Sequence, residues 1–326
     1  MMIFWKELDQ PYFALAPMED VTDTVFREVV LSTFHESPLK ILFTEFTNVD
    51  GLCHPVGREK VSHRLMVNAS ERKLLQEKGV KLVAQIWGNN PEKFYQATKM
   101  LTEEYQFDGI DINMGCPVKK VVKSKCCSAL IQYPELAKEI VKATQEATHL
   151  PVSVKTRIGF NHIQTEEWIS HLLEVNPAAI TIHGRIQKQL SDGEANWEEI
   201  AKAVQLNSGI PIIGNGDVIS VADGMQKVNE TGVNGLMVGR GIFNNPWMFA
   251  ENQDIDTTQR LQLIRKHIQL FESTWRKTKN PNILKRFFKI YINGFTGAST
   301  LRNSLMTASG YEDFYSTLDD FSIRNK

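Results

Sequence analysis

The residues best placed for chemistry are a cysteine held between a glycine and a proline, Gly115-Cys116-Pro117, at the end of the alternating run Asp111-Ile112-Asn113-Met114. A small thiol where a strand breaks is an odd choice for packing and a good one for presenting a sulfur to a pocket. Polar or special residues also close neighbouring apolar runs. These are Ala16-Pro17-Met18, Gln85, Lys155 and Arg157, His183 and Arg185, Asn215-Gly216-Asp217, and Gly239-Arg240-Gly241. Lys155 occupies a position that alternation directs inward, so its ammonium needs an anion or a reacting carbonyl. It can form a Schiff base or stay charged beside a ligand anion, and a structural rim lysine is the third reading. Gln85 offers a donor and an acceptor, suited to the imide edge of a heterocycle or to a rim bond with backbone. The two glycine turns, 215–217 and 239–241, allow backbone N–H groups to approach a phosphate, and Arg240 adds a guanidinium. His183 suits a phosphate contact or a structural bond.

These residues must be positioned by the elements that precede them. Eight apolar runs read as strands: Phe13 to Met18, Ile41 to Phe46, Lys81 to Trp87, the run into Asn113, Val152 to Arg157, Ala179 to His183, Ile210 to Asp217 and Gly235 to Arg240. Helical patterns lie between them, at Val21 to Leu31, after Asn90-Pro91, and at Pro134 to Thr148, Glu166 to Val175 and Trp197 to Leu206. Residues 47–70 read as a polar loop. Eight such units predict a (β/α)8 TIM barrel, with chemistry at the C-terminal strand ends. An open doubly wound sheet is the alternative, and no G-x-G-x-x-G at the first turn supports it. The barrel is expected over residues 1–250. A small all-helical domain follows over 255–326, with helices at Gln259 to Lys277, Asn282 to Asn293, Thr300 to Ala308 and Glu312 to Leu318. Its stretch from Arg276 to Lys289 is basic, contains aromatics and lacks acids. A solvated helix face over a buried Phe pair accounts for it, as does a nucleic-acid contact.

The chain has 326 residues, 42% of them hydrophobic, and a formal net charge of -1. Nucleic-acid binding would therefore have to come from local basic patches. Cys53, Cys116, Cys126 and Cys127 show no metal-ligand spacing and suit free thiols in a reducing compartment. No signal-peptide core and no membrane-spanning run is visible, so a cytoplasmic protein without metal is expected.

Across nearly the whole chain these stretches resemble the tRNA-dihydrouridine synthases, FMN-dependent barrel enzymes. The match is carried by Ala16-Pro17-Met18 with Val21-Thr22-Asp23, Thr44-Glu45, and Asn113-x-Gly115-Cys116-Pro117 within Asp111 to Lys120. It continues through Lys155-Thr156-Arg157-Ile158-Gly159, His183-Gly184-Arg185 with Gln189, Asn215-Gly216-Asp217, Gly239-Arg240, and Lys289 to Arg302. The resemblance implies that Ala16, Pro17 and Met18 line the flavin ring and that Gln85 and Lys155 bind its edge. Residues 215–217, 239 and 240 would hold the phosphate, with His183 beside them. Asn113, Arg157 and Arg185 would face the uridine, and Lys285, Arg286 and Lys289 would meet the tRNA. NADPH would restore the reduced flavin, and a monomer is expected. Cys116 would give the proton that C5 of uracil needs after hydride reaches C6, since an unperturbed thiol, with a pKa of about 8.5, is protonated at neutral pH. A uridine inside folded RNA must be splayed out to be reached, and Lys119, Lys120, Lys123 and Lys125 would meet phosphates there.

One departure stands out: Cys126-Cys127-Ser128-Ala129 replaces the small, Gly-rich residues the family has before the next helix. Two other functions remain open on the residues alone. One is an FMN-dependent barrel acting on a small enone or pyrimidine, which would have no need of the helical domain. The other is an RNA-binding barrel without redox activity, which would be colourless.

Overall fold

The computed structural model describes residues 4–206, 209–250 and 254–324. The chain divides into two compact units, one of Met1–Asp23, Pro38–Met66 and Leu75–Gly239, the other of Thr24–Ser37, Val67–Leu74 and Arg240–Lys326. The second therefore takes in two segments from the N-terminal part of the sequence besides the C-terminal helices.

The first unit is built on eight parallel strands. They are β1 (Tyr12–Leu15), β2 (Leu39–Phe43), β3 (Lys81–Trp87), β4 (Gly109–Asn113), β5 (Val152–Arg157), β6 (Ile180–His183), β7 (Ile212–Asn215) and β8 (Gly235–Val238). Each pairs with the next. β1 also pairs with β8 through Ala14 and Met237, and β2 with β3 through Leu42 and Leu82, so the sheet closes into the expected barrel. A two-residue extension, Thr47–Asn48, continues the line of β2 beside Ile86 and Trp87.

The barrel interior changes character along its length. Its lower part is apolar: Ala14, Ile41, Phe43, Val83, Ile213 and Met237 form one buried cluster with Tyr12 and Trp5. Trp5 comes from a short helix, Phe4–Glu7, and its ring lies 6.3 Å from Tyr12 and 6.4 Å from Phe43. Above this cluster the buried positions turn polar: Gln85, Asp111, Asn113 and Ser153 are all at most 5% exposed. A polar layer inside a barrel is stable only if its groups bond one another, and these do.

The outer helices start where the sequence supplies caps. The Asn90, Asn196 and Ser220 side chains each accept a backbone N–H of the first helical turn. Residues 47–70 depart from the loop expectation. They contain helices Val49–Leu52 and Pro55–Val61, a 3-10 turn Ser62–Leu65 and the start of Ala69–Lys78. Polarity hid them, but the capping chemistry is present: Asn48 accepts from Gly51 N, and His54 Nδ1 from Gly57 N just ahead of Pro55.

The second unit contains helices Thr24–Leu31, Thr257–Trp275, Lys285–Tyr291, Ala298–Thr307 and Tyr311–Arg324. Phe26 stacks on Phe287 at 5.2 Å, and His267 Nδ1 bonds Tyr291 Oη at 2.7 Å. Arg27 and Glu71 form a fully buried ion pair at 2.6 Å, with Thr24 Oγ1 also donating to Glu71. In the basic stretch Phe287 and Phe288 are buried, whereas Arg286 and Lys289 are exposed.

Candidate active site

The sequence places Asp111 in mid-strand, where alternation turns it inward. Strand register sets it level with Gln85 on β3 and Ser153 on β5. Ser153 Oγ donates to Asp111 Oδ1 at 2.6 Å and Gln85 Nε2 donates to Oδ2 at 2.7 Å. Gln85 Oε1 accepts from Asn113 Nδ2 at 2.9 Å. Asn113 Oδ1 then accepts the backbone N–H groups of Gly115 at 3.0 Å and Cys116 at 2.9 Å. A carboxylate can only accept, so the donor end of Gln85 must face it. Every later bond keeps that direction, and the chain ends by fixing the turn that presents Cys116. Burial raises Asp111 to about 6, with Ser153 and Gln85 pulling the other way.

Cys116 is half-buried at the end of this relay. The Cys127 thiol, the Val118 backbone N–H and the Arg157 guanidinium all act to lower the pKa of its sulfur. The Cys127 contact is the largest influence and burial opposes it; together they bring the Cys116 thiol down to about 7. The sulfur is therefore a stronger acid than a free cysteine. The short helix Lys119–Lys123 follows directly, and Lys119, Lys120, Lys123 and Lys125 are exposed.

Lys155 reaches past β6 to β7, where Nζ donates to Asn215 Oδ1 at 3.0 Å. Asn215 Nδ2 donates in turn to Met237 O at 2.8 Å. Desolvation, and secondarily Arg157, lower Lys155 to about 8, so the site holds an ammonium that is short of anionic company. Burial likewise brings Arg157 down to about 10. Arg157 Nε donates to Gly115 O at 2.6 Å and Nη1 to Leu190 O at 2.8 Å, tying the cysteine turn to the loop after β6.

Arg185 is occupied by the protein. Its Nη2 donates to both carboxylate oxygens of Asp217, at 2.8 and 2.7 Å, and to Gly193 O. Its Nη1 meets His183 Nε2 at 3.0 Å, and because arginine can only donate, that nitrogen accepts and the imidazole proton sits on Nδ1. Asp217 also takes the Ala195 N–H at 2.8 Å. Its backbone is left-handed, at φ 52. Gly216 (φ 132) has no room for a side chain, since a Cβ there would come within 2.5 Å of Ala195 Cβ. At Gly239 a Cβ would meet only Ala16 Cβ, at 3.9 Å, so the backbone there is open to a ligand.

The structure thus joins Gln85, Asn113 and Cys116 in one relay, Lys155 with Asn215, and His183 with Arg185 and Asp217. Ala16 is buried, whereas Pro17 and Met18 are partly open. Arg240, Lys285, Arg286 and Lys289 belong to the second unit. Asp111 and Ser153 are participants that a search confined to strand ends passes over. The signal was an acid inside an apolar strand, which burial allows only with partners. Among the described residues no three His, Cys, Asp or Glu side chains gather as a metal site, and no helix is long and apolar enough to cross a membrane.

A family model described as dihydrouridine synthase (Dus) matches residues 14–325. A probable tRNA-dihydrouridine synthase of Staphylococcus aureus (strain COL) is 40% identical over 328 residues, 98% of this chain and 96% of that one. Probable tRNA-dihydrouridine synthase 2 of Bacillus subtilis (strain 168) is 39% identical over 325 residues, again 98% and 96% of the two chains. A probable tRNA-dihydrouridine synthase of Staphylococcus epidermidis (strain ATCC 35984) is 40% identical, covering 98% and 97%. With the fold, the relay to Cys116 and this full-length similarity in hand, the chain belongs to the dihydrouridine synthase family.

Proposed function

We propose that this protein reduces the C5=C6 bond of a uridine in tRNA to 5,6-dihydrouridine, with FMN as hydride carrier and NADPH as reductant. The observation that carries the chemistry is Cys116, held by Asn113 at the end of a buried relay beside the cations Lys155 and Arg157.

The residues present fit a flavin mononucleotide. Lys155 is a desolvated cation whose hydrogen-bond partner is a neutral amide, so it suits the anionic N1–C2=O edge of a reduced flavin. Gly216 and the open backbone at Gly239 suit the phosphate, with the His183 ring beside Gly216. Arg240 is the proposed guanidinium partner by sequence resemblance. Bound FMN would supply hydride to uracil C6. Gln85, fully buried and bonded at both ends, is better suited to hold Asn113 than to meet the ring directly. Asp217 spends its carboxylate on Arg185 and Ala195, so its part in a phosphate site is to set the turn.

The protein side of the reaction then follows. Charge that develops toward C5 and O4 of the uracil is quenched at C5 by the Cys116 Sγ–H proton. The thiolate left behind is held by the Val118 N–H and the Arg157 charge until solvent returns a proton. Asn113 keeps one N–H uncommitted to the relay, enough for a contact to the base. Arg185, with its fork committed, shapes the substrate side by pinning Asp192 and Gly193. Lys119, Lys120, Lys123 and Lys125 meet the phosphates around the uridine, and Lys285, Arg286 and Lys289 meet the tRNA backbone elsewhere.

Purified protein supplied with FMN, NADPH and unmodified tRNA transcript tests this directly. Mass spectrometry of the tRNA should show a gain of two hydrogens on a uridine, and the protein should be yellow. A flavin-loaded preparation that leaves the tRNA unchanged, while the tRNA of cells lacking the gene keeps all its dihydrouridine, would refute the activity.

A further inference from the structure

Of the paired cysteines that depart from the family pattern, one, Cys127, lies beside the catalytic thiol. Cys127 is 1% exposed and sits at φ 54, a left-handed conformation that suits glycine far better than a residue with a Cβ. It is stapled to Cys116: the Cys116 carbonyl accepts from Ser128 N at 3.4 Å and from Ser128 Oγ at 2.8 Å. Those bonds hold the Cys127 turn beside Cys116, and the Cys127 thiol is the largest influence on the Cys116 sulfur. All four cysteines are free thiols. Of the two, Cys116 is the partly open member and Cys127 the enclosed one, so burial leaves Cys127 the one that keeps its proton.

We propose that Cys127 is a positioning residue for the reaction, whose thiol donates a hydrogen bond to the Cys116 sulfur and holds the thiolate that forms when Cys116 gives up its proton. This role rests on Cys116 being the proton donor. The contact explains why a strained residue with a thiol occupies a place where glycine would be relaxed. It also separates Cys116 from Cys126, which sits nearby without such a donor. Cys126 is raised by burial to about 11, whereas Cys116 is brought to about 7. An acid near the working pH is the better catalyst. The donor form is present below about 7 and is lost as pH rises through that value. Without the Cys127 thiol the loss should move to higher pH.

The test uses FMN-loaded holoenzyme with Cys127→Gly and Cys127→Ser. Iodoacetamide labelling of Cys116 is followed against pH by mass spectrometry, since the lysines between residues 119 and 125 put Cys116 and Cys126 on separate tryptic peptides. In the glycine variant, which the backbone favours, the labelling midpoint should rise by a unit or more and labelling at pH 7 should slow about fivefold or more. Serine keeps a donor and should stay near the original midpoint. The alkaline limb of tRNA-dependent flavin reoxidation should move in parallel. An unmoved labelling midpoint in a folded glycine variant overturns the role of Cys127, whatever turnover does. A moved midpoint with tRNA turnover that survives Cys116→Ala overturns the donor assignment instead, and the role of Cys127 with it.

Discussion

Asp111 governs the polarity of the barrel mouth because it accepts hydrogen bonds and donates none. Replacing it by asparagine keeps the shape and offers an N–H to Gln85, which can then turn its amide over. Gln85 Nε2 would face Asn113 Nδ2, donor against donor, and the grip of Asn113 on the Cys116 turn would loosen. Losing a bond to a charged group costs about 1.5–3 kcal/mol, so Asp111→Asn should slow uridine reduction about ten- to a hundredfold while the protein still folds and binds flavin. Rapid-mixing measurement of flavin reoxidation by tRNA checks this. Lys155 carries a second prediction at this scale. In the free protein it titrates at about 8, and an anionic flavin edge or phosphate nearby favours its charged form. Binding of FMN to apoprotein should therefore be strongest below pH 8. It should weaken by up to about tenfold per unit above that, until the lysine of the complex also loses its proton. Titration of apoprotein with FMN from pH 6 to 10 measures it, and Lys155→Met should flatten the curve. Cys116, Lys155 and Asn215 could be read from the sequence because each closes or interrupts an apolar run. Their partners could not. The bond from Gln85 to Asp111 and that from Arg185 to Asp217 depend on strand register and on chain separations of 26 and 32 residues.

At the scale of elements, the eight strands lie where alternation and apolar runs place them, since each is buried on both faces and reads as such. The helices within residues 47–70 escaped because short helices there are polar and held by caps rather than by an apolar stripe. The lower end of the barrel depends on another short element. Trp5 fills the space among Tyr12, Phe43 and the apolar cluster. Trp5→Ala should cost about 3–5 kcal/mol of stability. A urea transition should show this as a lower midpoint, with the proposed flavin site of the folded fraction unchanged because the polar layer lies above the cluster. In the second unit the Arg27–Glu71 pair is buried on both sides, so removing either partner alone strands a charge.

At the scale of the whole molecule, a net charge of -1 conceals how the basic residues are arranged. In the barrel unit four exposed lysines follow Cys116, and in the helical unit Arg286 and Lys289 are exposed over a buried Phe pair. Replacing Lys285, Arg286 and Lys289 by glutamine should weaken tRNA binding, reduce its dependence on salt and leave flavin content unchanged. Filter binding at several salt concentrations checks both effects, and unchanged affinity would return that face to plain solvation. The two-unit division, with Thr24–Ser37 and Val67–Leu74 grouped with the C-terminal helices, was not legible because it depends on which helices share a core. The measurement that bears most directly on the mechanism is single-turnover reoxidation of FMN-loaded, NADPH-reduced Cys116→Ala by unmodified tRNA. Flavin binding and reduction should be normal and reoxidation by tRNA should fall by about a hundredfold or more, the scale of losing a general acid. Reoxidation at the wild-type rate, with dihydrouridine formed, would show that the proton comes from elsewhere.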